Sequence, residues 1–390
     1  MNPPNAQRIP DRCGGRRLRS RPDIPGAVRR LAMRIGDGLA PRRGVRAAVL
    51  ACAVLLLCSG GVAFAEPDAP IAARASAAAR ESPNGSRLVD AVQGPGRVLE
   101  LTVYSAAMGR PIAVEVLPAA DDSRPAPVLY LLNGIDGGTE TGKWSDGGNW
   151  LTKTDAARFF ADQQVTVVMP VGGGGTLFAD WRADDPVLGR QRWGTFLTAE
   201  LPAIIDSAFH GTGANAIAGP SMASSAVFRL ALAAPGRFRA IGSYSGCVRT
   251  SDPLGQAIVA AMVVGQRGDP RNLWGPLDDP AWAANDPYLH VAELRDTTVY
   301  VSTGTGQAGP LDTLDGPGIN ANPLKLLDQL TVGGMLDGIT AACTAQLRER
   351  LRELNIPATV DERPTGTHSW GYWQQDLHNS WPLFRAALGG

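Results

Sequence analysis

Residues 216–226 read Ala-Ile-Ala-Gly-Pro-Ser-Met-Ala-Ser-Ser-Ala. A short apolar run ends at Gly219-Pro220, Ser221 follows, and a helical pattern starts at once. Nothing in the segment is long enough to be a loop, so the chain must turn sharply from strand to helix at the serine. Gly219 and Ala223 are small enough to let such a turn pass its neighbours, which leaves Ser221 projecting above a sheet. The other reading of Gly-Pro-Ser is a plain helix start with Ser221 as its cap.

The rest of the chain shows which sheet this is. Residues 98–104 and 112–117 flank a Met-Gly-Arg-Pro turn and read as an antiparallel hairpin. Residues 128–132 and 165–169 are continuous apolar runs, the pattern of strands buried on both faces of a parallel sheet. Further strand candidates lie at 214–218, 240–245, 297–302 and 358–362, with helical patterns near 195–208, 224–234, 343–354 and 374–387. Strands alternating with helices give an α/β fold, a mostly parallel central sheet with helices on both faces. With 390 residues, 44% of them hydrophobic, the chain can build a large core. The expected organisation is a leader at 1–65, an Ala/Pro/Ser-rich linker at 66–95, and a catalytic domain at 96–390.

The leader stands out by charge. Residues 1–46 carry twelve Arg and three Asp, a net of +9, so the zero net charge of the whole leaves −9 on residues 66–390. A body that acidic is repelled by phosphate backbones, which argues against nucleic acid as a partner. Arg42, Arg43 and Arg46 precede the apolar stretch 47–57, and Ala63-Phe-Ala65 fits a signal-peptidase site ahead of Glu66. The reading is therefore a secreted, cell-envelope protein cleaved after Ala65; the alternative is an uncleaved membrane anchor. Cleavage would remove Cys13, Cys52 and Cys58 and leave Cys247 and Cys343. Two cysteines in an oxidising compartment suggest one disulfide, with two buried free thiols as the alternative.

Ser221 needs a base to become a nucleophile at neutral pH. The chain holds four histidines. His210 reads as a helix end, His290 sits in a loop-like stretch, and His378 lies inside the last helix. His368, in Gly-Thr-His-Ser-Trp at 366–370, sits in a turn after a strand and downstream of the serine. Serine followed by acid and then histidine is the chain order of an α/β-hydrolase. The acid then falls between them, where Asp312, Asp315, Asp328 and Asp337 compete; Asp337 sits in what reads as a Gly-rich connection. The amide of Met222 opens the helix where an oxyanion would form, and a second donor is expected from residues 133–138. None of this chemistry calls for a metal or cofactor.

Several longer motifs stand in order along the chain: Leu-Leu-Asn-Gly at 131–134, Val-Met-Pro-Val-Gly-Gly at 168–173, Asp180-Trp181, and Trp-Gly-Thr-Phe-Leu-Thr-Ala-Glu-Leu-Pro at 193–202. Gly-Pro-Ser-Met-Ala at 219–223 follows, then Trp274-Gly-Pro276, residues 279–282, Asn285-Asp-Pro287, and residues 366–373. From about Leu99 to Leu388 the chain resembles the secreted mycolyltransferases of mycolic-acid bacteria, which include the mycobacterial antigen 85 proteins. The resemblance implies an α/β-hydrolase fold and transfer of mycolyl groups between trehalose mycolates, or to cell-wall arabinogalactan, through an acyl-serine. It implies Ser221 as nucleophile, His368 as base, Asp337 as acid, and the amides of Met222 and Ile135 as oxyanion donors. Asn133, Asp136 and Trp370 fall near the sugar site. Cys247 and Cys343 resemble a pair in the corynebacterial and nocardial branch.

Four positions depart from that family's pattern. Asp337 stands for the usual Glu, Asp136 for an Arg that helps hold trehalose, and Pro220 for Leu, while the strand ending at Ser302 lacks a cysteine some members have. The altered sugar loop motivates a second reading, a carboxylesterase of the same fold. A third is a surface binding protein or adhesin, against which the retained Ser221, His368 and acid argue.

Overall fold

The short apolar runs pair side by side as one sheet. The computed structural model describes residues 69–139 and 148–390, and nine strands take part. They are β1 (Arg87–Gln93), β2 (Leu99–Ser105), β3 (Arg110–Leu117), β4 (Ala126–Leu131), β5 (Thr166–Val171), β6 (Gly211–Pro220), β7 (Phe238–Tyr244), β8 (Thr298–Thr303) and β9 (Ala358–Glu362). Their order across the sheet is β1-β2-β3-β5-β4-β6-β7-β8-β9. Pairings from β1 to β5 are antiparallel; from β5 to β9 the sheet is parallel. The leader and the cleavage point after Ala65 lie outside the described residues.

The two-sided burial of the central strands explains their unbroken apolar runs. On β4 and its extension, Val128, Tyr130 and Leu132 face one core while Leu129 and Leu131 face the other. The first core is covered by α1 (Ile71–Ala78), α2 (Leu201–Ala208), α3 (Met222–Ala233), α4 (Pro253–Gly265) and α5 (Gly334–Glu353). The second is covered by Trp150, Ala156 and Phe160 and by α6 (Trp370–Leu388), which presents Trp373, Leu377, Trp381 and Phe384. Helices therefore lie on both faces, as the alternating pattern implied. In the antiparallel part, β2 buries every second residue, so its alternation reads cleanly.

One feature of this order positions the site. The chain runs from β4 outward to β5, then returns across β4 to β6. The strand order reverses between β4 and β6, and in open α/β sheets ligands bind at the carboxyl ends of the strands flanking such a reversal. Ser221 directly follows β6, and residues 133–138 follow β4.

Within the expected linker at 66–95, the described residues 69–95 are part of the folded domain. Described residues there form α1 and β1, and β1 pairs with β2 from Arg87↔Tyr104 to Gln93↔Leu99. The sequence hides this because β1 is an edge strand with Val89 and Val92 exposed, and α1 buries only Ala72 and Ala75. Order here comes from main-chain pairing and small side chains, which leave no hydrophobic period to read. Two helices also differ from expectation. Helix α5 begins at Gly334, not near 343, and α4 is additional. Asp252 caps α4 by accepting from the amides of Leu254 and Gly255, with Pro253 at the first turn. Asp-Pro ahead of an apolar stretch is a helix-start signal that would have found it.

Cys247 and Cys343 form a disulfide that joins the chain after β7 to α5. It closes a separation of 96 residues, which by chain entropy stabilises the fold by roughly 4–5 kcal/mol.

Phe384 tests the core. It is fully buried, and its ring lies where a side chain on Gly242 would collide with it. Phe384→Ala should lower unfolding free energy by about 3–5 kcal/mol, read by urea denaturation with an unchanged slope.

Candidate active site

Ser221 occupies the one residue between β6 and α3, with φ 56° and ψ −119°. For a residue with a Cβ this region costs about 1–3 kcal/mol, so the surroundings must hold it there. The Ser221 amide donates to the carbonyl of Tyr244 at 2.8 Å, and Ser224 Oγ donates to the same oxygen at 2.9 Å. Two glycines make room. A Cβ on Gly219 would lie 2.6 Å from Ala223 Cβ, and one on Gly246 would lie 2.1 Å from Ser224 Cβ. The small residues read from sequence thus serve close packing of strand, turn and helix.

Asp337 and His368, the candidate acid and base, come from beyond the later parallel strands. Asp337 lies in the first turn of α5, preceded by a π-helical stretch, Gln329–Gly333. This corrects the reading of its surroundings as a Gly-rich connection. Gly334 is glycine because a Cβ there would come within 2.7 Å of the Gly306 carbonyl, so it permits close approach and forms no turn. The Asp337 carboxylate is fully buried. It accepts from the Gly304 amide at 2.9 Å, from Ser245 Oγ at 3.3 Å, and from His368 Nδ1–H at 2.9 Å. These partners are what a buried charge requires. His368 also donates its amide to the Gly333 carbonyl at 3.1 Å, and its ring stands edge-on to Trp373 at 5.0 Å.

With Nδ1–H given to the carboxylate, Nε2 is the nitrogen that can accept a proton. The other candidate acids have different duties. Asp312 is buried among four donors and does not touch His368; Asp315 and Asp328 are exposed. Of the other histidines, His378 bonds Asp155 at 2.8 Å, His290 bonds the Ala283 carbonyl at 3.1 Å and belongs to the short helix Pro287–His290, and His210 follows α2 with a φ of 53°.

The loop after β4 completes the arrangement. A Cβ on Gly134 would lie 3.7 Å from Ser221 Cβ, so the loop runs beside the serine. The Gly134 carbonyl accepts from the Gly137 amide at 3.0 Å, which in a trans peptide turns the Ile135 N–H the opposite way. The Ile135 carbonyl is held by the Gly175 amide at 2.9 Å and Gln266 Nε2 at 3.2 Å. Met222, first residue of α3, has no carbonyl within its helix to take its amide. Asn133 is fully buried and donates Nδ2–H to the Pro170 carbonyl at 3.1 Å, which ties the loop to β5. Asp136 is half-buried, and its Oδ1 accepts from the Gly138 amide at 3.0 Å. Trp370 is half-buried and packs edge-on to Trp150 and Trp373.

Sequence reasoning missed Gly304 and Ser245, and weighed Asp312 only as a competing acid. The first two act through a main-chain amide and a common hydroxyl, neither of which carries a motif. Beneath the pair, Asp376 is fully buried against Arg363; burial pushes its carboxyl up to about 7, against the pull of that guanidinium.

A mostly parallel sheet with a strained serine between strand and helix, and an Asp–His pair after later strands, defines the α/β-hydrolase class. Comparison with known proteins narrows it. The Esterase family model matches residues 105–384. The chain is 31% identical over 323 residues to the diacylglycerol acyltransferase/mycolyltransferase Ag85A of Mycobacterium tuberculosis, spanning 78% of this chain and 86% of that one. It is 32% identical over 318 residues to Ag85A of Mycobacterium leprae, spanning 78% and 88%. Among solved structures, Mycobacterium tuberculosis MPT51 (FbpC1) shares the fold with a TM-score of 0.57 at 23% identity, covering 73% of this chain and 96% of that one. The protein belongs to the Esterase family and, within it, to the antigen 85-like group of acyl-transferring serine hydrolases.

Asp337→Ala should lower kcat by roughly 10³–10⁴-fold, as loss of a triad acid does, while Asp315→Ala, on an exposed loop, should match wild type. Ester-hydrolysis kinetics on both variants check this; the reverse ranking would mean that the hydrogen bond to His368 is not the one used.

Proposed function

We propose that this protein is a secreted acyltransferase that moves mycolyl groups between trehalose mycolates, or from them to cell-wall arabinogalactan, through an ester on Ser221. The observation that carries the reading is the 2.9 Å bond between His368 Nδ1 and a fully buried Asp337, on the same sheet edge as the strained Ser221. Membership of a family whose relatives are named as mycolyltransferases supports the acyl group.

In the first half-reaction His368 Nε2 takes the proton of Ser221 Oγ as the oxygen attacks the ester carbonyl carbon. Negative charge develops on the carbonyl oxygen, and the amides of Met222 and Ile135 stabilise it. Collapse breaks the bond to the sugar oxygen, which leaves with the proton from His368. In the second half a sugar hydroxyl gives its proton to His368 and attacks the acyl carbon, and Ser221 recovers a proton as it departs. Asp337 keeps the imidazole in the required tautomer and stabilises its charged form in both halves. Water in place of the sugar gives hydrolysis, so the balance between transfer and esterase activity depends on water exclusion. Asp136, where the family has Arg, and Trp370 line the sugar side in this reading.

The test is incubation of the protein with trehalose monomycolate and chromatography of the lipids, with Ser221→Ala alongside. The expected result is trehalose dimycolate formed with Ser221 present and absent without it. Free mycolic acid alone would make the protein an esterase, and lipid turnover by Ser221→Ala would remove the acyl-serine.

A further inference from the structure

Resting on the roles given to Ser221, His368 and Asp337 above, we propose that Asp312 is a positioning residue of this enzyme. Its carboxylate ties the turn carrying the base to the helix carrying the acid. Asp312 is 8% exposed and gathers four donors from three parts of the chain. Its Oδ1 accepts from Thr367 Oγ1 at 2.5 Å and from Gln329 Nε2 at 2.6 Å. Its Oδ2 accepts from the Gly309 amide at 2.7 Å and from the Tyr372 hydroxyl at 2.9 Å.

The positions of these donors make the argument. Thr367 immediately precedes His368, and Tyr372 follows it by four residues, so the base is gripped on both sides. Gln329 opens the π-helical stretch that runs into α5. Along that stretch the Gly333 carbonyl takes the His368 amide, and Asp337 follows within one turn. Gly309 belongs to the segment after β8, whose Gly304 amide donates to Asp337 and whose Gly306 amide donates to the Gly366 carbonyl. The segments that carry His368, Gly333–Asp337 and Gly304 are thus anchored on one carboxylate. On the Tyr372 side of this cluster, the Arg363 guanidinium lies 5.3 Å over the Tyr372 ring. All four contacts on Asp312 come from neutral donors, and the carboxylate touches neither His368 nor Asp337.

Asparagine cannot replace it. Whichever way the amide is turned, its NH₂ faces two donors, so either the Thr367 and Gln329 side or the Gly309 and Tyr372 side comes loose. A displacement of His368 on the order of an ångström costs up to about 10²-fold in rate, and a buried residue remote from substrate leaves binding alone. A stabilising role only would lower melting temperature and leave the turnover of folded protein intact.

The experiment uses the full chain and measures kcat and KM on p-nitrophenyl butyrate, with melting followed by circular dichroism. Asp312→Asn should lower kcat about 10- to 100-fold with KM within about twofold. Gln329→Met and Thr367→Val, each removing one donor, should lower kcat in the same sense by less, whether or not Asp312→Asn folds. Wild-type kcat in the two single-donor variants, or a loss confined to KM, would overturn the proposal. Ser221→Ala separates the failures: if it keeps turnover, the site itself is misread. If it is inactive and the donor variants match wild type, the positioning role alone falls.

Discussion

A charged carboxylate buried without water must find its partners inside the protein, and Asp337 is where this constraint acts on the whole site. It is fully buried. Three of its donors come from different strand ends, Ser245 after β7, Gly304 after β8 and His368 after β9, and Thr340 Oγ1 donates from its own helix. Losing one of them would leave a buried charge short of a donor, at a cost of about 1.5–3 kcal/mol. The sheet edge and the base are therefore mutually fixed. The imidazole is held by its Nδ1 side, its amide and the face of Trp373, so Nε2 is the atom left for chemistry.

Ser221, the candidate nucleophile, meets the same edge through a different device. Ser221 is held in a costly backbone conformation by strand β7, since both its amide and the Ser224 hydroxyl bond the Tyr244 carbonyl. Tyr244 is followed directly by Ser245, which bonds Asp337. Strand β7 thus links serine and acid through adjacent residues. The disulfide repeats the link a few residues on, joining Cys247 to α5 six residues after Asp337. Reversal of strand order between β4 and β6 brings the loop of Gly134 and Ile135 against the serine from the opposite side.

How much of this could be read in the chain depends on what kind of interaction wrote it. The central strands were legible because burial on both faces demands continuous apolar runs, and Gly219-Pro-Ser-Met-Ala223 because a tight turn demands small neighbours. His368 was legible by position among only four histidines. Asp337 was not separable from Asp312, Asp315 and Asp328 by local pattern, since its identity lies in a contact 31 residues away; the family resemblance singled it out. Strand β1 was hidden because its exposed Val89 and Val92 invert the usual signal. The bond from Asn133 Nδ2–H to the Pro170 carbonyl was not legible, because a position in a motif does not reveal which way a side chain turns.

The central claim is that the Asp337–His368 pair activates Ser221 and no other hydroxyl. Labelling the folded protein with a fluorophosphonate and mapping the adduct by tandem mass spectrometry tests it most directly. The account predicts one stoichiometric adduct, on the peptide carrying Ser221, with labelling lost in His368→Ala. An adduct on another residue, or undiminished labelling without His368, would contradict it.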